Sequence, residues 1–207
     1  MTTLPALDRR AFHAAVLSTG AAALLGCGGT QPSPHAPVGA CRPGSASGFP
    51  CWPEGLAPDD CPLYAYNEAT IPAAPEVVWA WLIRADLWPT WFPRARHVRF
   101  AAGGPALEVG AAIAWEMLGA TIQVTVRQAE APRMLAWEGG ASGVHAYHAW
   151  ILLPEGPGTR VVTVETERGP IPSALGFYLR GALHEAHEDW LLALAKIAAG
   201  GAPPRAG

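Results

Sequence analysis

The last regular segment of this chain constrains its fold more than any other feature. From Pro172 to Ala198, the residues Leu175, Leu179, Leu183, Ala186, Trp190, Leu194 and Ile197 recur at intervals of 4, 4, 3, 4, 4 and 3. Such intervals put side chains on one face of an α-helix, so the segment predicts a long helix with one continuous apolar stripe. A stripe of that length needs an apolar surface to cover, and the residues before it supply strands. Arg96–Ala101, Ala111–Leu118, Thr121–Gln128, Met134–Glu138, Val144–Leu153 and Thr159–Glu167 are each bounded by Gly or Pro. In Thr121–Gln128, Ile122, Val124 and Val126 alternate with Thr121, Gln123, Thr125 and Arg127, as in an antiparallel strand with one wet face.

Upstream, Leu63–Ile71 reads as a strand stopped by Pro72. Pro75-Glu76 then opens a helix, with Pro in the first turn and an acidic residue at the positive end of the helix dipole. Val78, Trp81, Leu82 and Ala85 share a face, and Asp86 to Pro93 forms a second short, Pro-bounded segment. The order is strand, two short helices, about six further strands and one long helix. That predicts an α+β fold, with a curved antiparallel sheet of about six to seven strands packed on the C-terminal helix. The domain is expected over residues 61–199, with a disordered tail over 200–207.

The first 26 residues read as an export signal rather than part of the fold. Arg9-Arg10-Ala11-Phe12 resembles a twin-arginine signal, and the apolar run Ala14–Leu25 is too short for a permanent membrane span. Leu24-Leu25-Gly26-Cys27 resembles a bacterial lipobox, in which Cys27 would be lipidated. Two or three acyl chains would anchor the protein stably at a membrane, facing the extracytoplasmic side. Residues 27–60, rich in Pro, Gly and Ser, would be a tether. Three further cysteines remain, Cys41, Cys51 and Cys61. An exported chain permits disulfides, and Cys51–Cys61 is the first choice, since it would pin the tether to the first strand. The net charge of −3, with no basic run, argues against nucleic acid as a partner.

The order of elements and several local motifs resemble the START-like (SRPBCC) superfamily, which includes polyketide cyclases, dehydrases and lipid-transfer domains. The matching residues are Ile71 to Trp79, Trp88 to Pro93, Leu135-Ala136-Trp137, His148-Ala149-Trp150, Gly158-Thr159-Arg160-Val161, Glu165 and Trp190 to Leu194. The resemblance covers about residues 62–199. It implies a helix-grip fold with a cavity between the concave sheet face and the long helix. It does not imply one activity, because the superfamily includes carriers, sensors and enzymes.

His148 is the most interesting polar residue. It shares a strand face with Trp150 and Leu152, so it is expected to point inward, where it could bind a ligand or act as acid or base. Glu165, one strand on, could face it and orient the imidazole, but Val162 and Val164 compete for the inward face. His145 and His148, three apart on a strand, point to opposite faces and cannot chelate together. His184-Glu185-Ala186-His187 is one residue short of a zinc-protease motif and is expected on the solvated face. No metal site and no cofactor are expected. Trp115, Trp137, Tyr147, Trp150, Leu152, Tyr178, Leu179 and Leu183 are candidate cavity-lining residues.

These readings favour a membrane-tethered binding domain for a small hydrophobic or lipid-like ligand. The alternatives are a cyclase or dehydratase using His148, and a structural module whose cavity is filled by its own Trp side chains. An enzyme should show at least two polar groups converging in the cavity.

Overall fold

The structure is a computed structural model describing residues 50–204. The expected signal, Cys27, Cys41 and most of the tether lie outside the described residues, as do residues 205–207. Seven strands form one antiparallel sheet: β1 (Leu63–Ile71), β2 (Arg96–Ala102), β3 (Ala112–Met117), β4 (Ala120–Glu130), β5 (Met134–Gly140), β6 (His145–Glu155) and β7 (Gly158–Arg168). Their spatial order is β1-β7-β6-β5-β4-β3-β2. The helices are α1 (Pro75–Leu82), α2 (Trp88–Trp91) and α3 (Pro170–Ala198). The chain lays down one edge strand, crosses through α1 and α2 to the far edge, and returns by hairpins until β7 closes against β1. This is the helix-grip arrangement expected from the sequence.

Pleating decides which side chains meet, since neighbours along a strand point to opposite faces. On the concave face Trp150 sits opposite Thr163, and Leu152 opposite Val161. On the convex face Ala149 sits opposite Val164, and Ile151 opposite Val162. Both sets are buried. The concave face is covered by α1 and α3, and the convex face by residues 51–60. Trp52 packs its ring 5.4 Å from that of Tyr147 and 6.5 Å from that of Tyr64. Leu56 is buried, and the Thr166 hydroxyl donates to its carbonyl at 2.8 Å. The described end of the expected tether is therefore a packed strap, because Trp52 and Leu56 give it two apolar anchors. Nor is the start of the expected tail loose: Trp81 Nε1 donates to the Gly201 carbonyl at 2.6 Å, and Arg84 Nη1 to that of Pro204 at 3.3 Å.

Two further expectations are corrected. No disulfide joins Cys51 to Cys61 among the described residues. The Cys51 amide is tied to Gln128 Oε1 at 3.4 Å, and the Cys61 thiol lies 3.8 Å from the Gly55 carbonyl, so the strap holds them in different surroundings. The apolar stripe of α3 also does not engage from its start. Leu175, Phe177 and Tyr178 are exposed, and burial runs from Leu183 through Ala186, His187, Trp190, Leu191 and Leu194 to Ala198. The helix passes Pro62, beside the start of β1, at Gly176, and its first turn is tied to the loop after β5 by the Ile171 amide, which donates to the Gly143 carbonyl at 3.2 Å.

This arrangement predicts unequal costs along one helix. Trp190→Ala should lower unfolding free energy by about 3–5 kcal/mol, as for large-to-small core changes. Phe177→Ala should shift it by no more than about 0.5 kcal/mol. Urea denaturation followed by circular dichroism reads both, and comparable losses would contradict the packing described.

Candidate functional site

The concave face carries an aromatic cluster centred on Trp190 of α3. Its indole lies 4.7 Å from Phe92, stacked, 5.2 Å from Trp88, 5.3 Å from Trp150 and 6.3 Å from Trp137, centroid to centroid. Trp115 joins through Trp88 at 5.5 Å and Trp137 at 6.2 Å. These rings occupy the space between sheet and helix where the sequence places a cavity.

A polar island interrupts this apolar interior. Strand register puts His148 directly opposite Glu165, and Asn67 opposite Thr163. The competition on β7 is settled in favour of Glu165 facing inward, because the strap gives Val162 and Val164 an apolar partner on the other side. His148 Nδ1 lies 3.2 Å from Glu165 Oε2, and its Nε2 lies 2.6 Å from Thr163 Oγ1. From α3, His187 Nε2 reaches the same Glu165 oxygen at 2.9 Å, and the two imidazoles lie 4.7 Å apart. The His148 ring stacks on Trp150 and meets the edge of Trp137.

Burial sets the electrostatics here, because charge is costly away from water. It pushes the Glu165 carboxyl up to about 8. Burial, reinforced by the charge of Glu165, raises Glu167 to about 8 as well. It lowers His187 to about 3, and holds His148 well below the ordinary imidazole range with a smaller contribution from His187. The surroundings thus favour neutral imidazoles beside a carboxyl group that resists ionisation. Such a cluster can donate and accept hydrogen bonds and can take up or release a proton.

Trp115, Trp137, His148, Trp150 and Leu152 face the interior, where the sequence places them. Tyr147 does not: it lies on the convex face, donating to Gln128 Oε1 at 2.6 Å, because an odd-numbered neighbour of His148 must point the other way. Leu179 and Leu183 pack on Leu63 and Ala65 of β1, in a patch apart from the aromatic cluster. Tyr178 is exposed. His145 points outward to Glu138 at 2.9 Å, opposite to His148.

His187 is the residue that sequence reasoning misplaces. His184 is half-exposed beside Glu188, as expected, but His187 is buried. The signal lay in its neighbours at helical spacing. Leu183, Trp190 and Leu191, at i−4, i+3 and i+4, are all buried apolar residues and put His187 inside the stripe.

Fold and interior together define a helix-grip domain. The family described as polyketide cyclase / dehydrase and lipid transport matches residues 65–199, and the chain belongs to it. It is therefore a member of a ligand-binding family within the START-like superfamily. Among solved structures, the chain is similar to a hypothetical protein of Helicobacter pylori at 21% identity, with 71% of this chain and 94% of that one covered and a TM-score of 0.66. It is similar to an aromatase/cyclase from Streptomyces at 17% identity, with 68% and 98% covered and a TM-score of 0.56. A START superfamily protein from Mycobacterium smegmatis is also similar, at 13% identity, with 66% and 97% covered and a TM-score of 0.57. These likenesses establish the fold. No curated protein matches the chain.

The geometry predicts that His148 and Glu165 act together. In a cycle of His148→Ala, Glu165→Ala and the double variant, unfolding free energies should show a coupling of about 0.5–3 kcal/mol. Additive losses would mean that the contact is incidental.

Proposed function

We propose that the chain is a binding domain for a small hydrophobic or lipid-like molecule, tethered to a membrane through Cys27 on its extracytoplasmic side. Membership of a family of ligand-binding domains supports the binding role. The signal-like residues 1–27 support the tether, and no helix among the described residues is long and apolar enough to cross a membrane itself.

The observation that carries the reading is the set of polar atoms stranded inside the grip. Besides the His148–Glu165–His187 cluster, the indole N–H groups of Trp115, Trp150 and Trp190 are buried with no hydrogen-bond partner among the described residues. Each such donor costs about 1–3 kcal/mol while unmet. A ligand with an apolar body and one or two oxygen acceptors would replace ring–ring contacts with equivalent apolar contact and would satisfy donors that the packed rings leave unmet. An apolar site with a few placed polar groups is the usual form of a small-molecule pocket.

A second reading, a cyclase- or dehydratase-type enzyme with His148 as acid or base, draws on the convergence of His148, Glu165 and His187 within hydrogen-bond reach. Cyclisation can proceed largely by holding a flexible substrate in a reactive shape, so few groups suffice.

Native mass spectrometry of the purified full chain tests the binding reading. A co-purifying small apolar molecule is the expected result, and Trp150→Ala or His148→Ala should lower its occupancy at least about tenfold, while Tyr147→Phe, on the opposite face, should not. A chain that carries no ligand, and whose tryptophan fluorescence is unchanged by added fatty acids and aromatic polyketides, would leave an interior filled by its own rings. Turnover of such a molecule, lost in His148→Ala, would favour the enzyme.

A further inference from the structure

We propose that His148, Glu165 and His187 form a binding site for a divalent first-row transition cation, with Zn2+ the cation to test. The inference goes beyond ligand binding and does not depend on it.

Three elements that are distant in sequence deliver one ligand atom each to a common point. His148 Nδ1 comes from β6, Glu165 Oε2 from β7 and His187 Nε2 from α3. The carboxylate oxygen lies 3.2 Å from the first nitrogen and 2.9 Å from the second, and all three atoms lie within 4.8 Å of one another. Four-coordinate zinc with bonds near ~2.1 Å needs ligand atoms about 3.4 Å apart, so small side-chain shifts would complete three corners of a tetrahedron. Two imidazoles and a carboxylate are a donor set suited to Zn2+ and its neighbours, and three protein ligands leave a fourth position open.

The surroundings of His148 match what a ligating histidine requires, while Nδ1 of His187 is buried without a hydrogen-bond partner among the described residues. The far nitrogen of His148 is engaged by Thr163 Oγ1 at 2.6 Å, which fixes the ring with Nδ1 toward Glu165. His148 and His187 are both buried, whereas the Glu165 side chain keeps 14% exposure. The other described histidines are poorer candidates. His145 is paired with Glu138 on the convex face, and His97 and His184 are exposed beside single glutamates.

The cation would join α3 to two strands, so uptake should be visible as stability. The full chain, stripped with EDTA and dialysed, is titrated with ZnSO4 by calorimetry, and its Tm is read with and without the ion. The expected result is saturable uptake of one equivalent and a raised Tm. Glu165→Gln and His187→Gln should each weaken affinity by at least about tenfold, while His184→Gln leaves it unchanged. Co2+ is the second probe and requires no variant to fold: uptake should give the intense visible bands of a four-coordinate ion without thiolate charge-transfer absorption. Absence of saturable uptake would overturn the proposal, as would uptake insensitive to Glu165→Gln and His187→Gln, or a Co2+ spectrum with thiolate bands. Any of these would leave the cluster as a hydrogen-bonded network, and the ligand reading would stand or fall on its own experiment.

Discussion

The indole of Trp190 reaches from α3 onto the concave face and meets Trp88, Phe92, Trp137, His148 and Trp150, so the long helix, the segment around α2 and two central strands share one set of contacts. Aromatic pairs at these separations add to ordinary apolar burial when their rings are offset or edge-on. Much of the fold is arranged around that contact. The α1–α2 crossover carries Trp88 and Phe92 to the helix, and the hairpin walk from β2 to β7 brings Trp115, Trp137 and Trp150 onto the same face. The Trp88 indole donates to the Leu82 carbonyl at 3.0 Å, which also anchors the cluster to the end of α1.

Set into this apolar mass, the His148–Glu165–His187 cluster is expensive to keep. Buried polar groups are tolerated when their hydrogen bonds are met, and here one carboxylate oxygen serves two imidazoles and Thr163 serves the outer nitrogen of His148, but that of His187 has no partner among the described residues. Leucines in those places would pack without any such requirement. Stability alone therefore does not account for the cluster. Its position, where α3 and two strands each bring a titratable side chain to one point, concentrates that requirement in the interior.

The architecture was legible in the sequence because hydrophobic period and Gly/Pro punctuation are local signals. The strand limits differ from those read in advance by one or two residues at most ends, and α3 ends at Ala198 as its stripe does. Facing was legible where one strand face was plainly apolar, as with His148, Trp150 and Leu152. It was ambiguous at Glu165, since β7 is covered on both sides and alternation loses its meaning when both faces are buried. The cover on the convex side comes from Trp52 and Leu56, in a Pro/Gly-rich stretch with no periodicity to announce it. His187 was obscured by comparison with a protease motif, though its neighbours at helical spacing already assigned it to the core. The exposed start of α3 was not legible, because a stripe does not say where its partner surface ends.

The strap over the convex face also fixes a direction. It begins beside Gln128 and Tyr147, behind the sheet, while α3 and the aromatic interior lie in front. The first described residues thus lie on the back of the sheet. Phe177 and Tyr178, exposed near the start of α3, belong to the front layer. The strap and the aromatic interior therefore lie on opposite sides of the sheet, and the described chain enters on the side away from the helix.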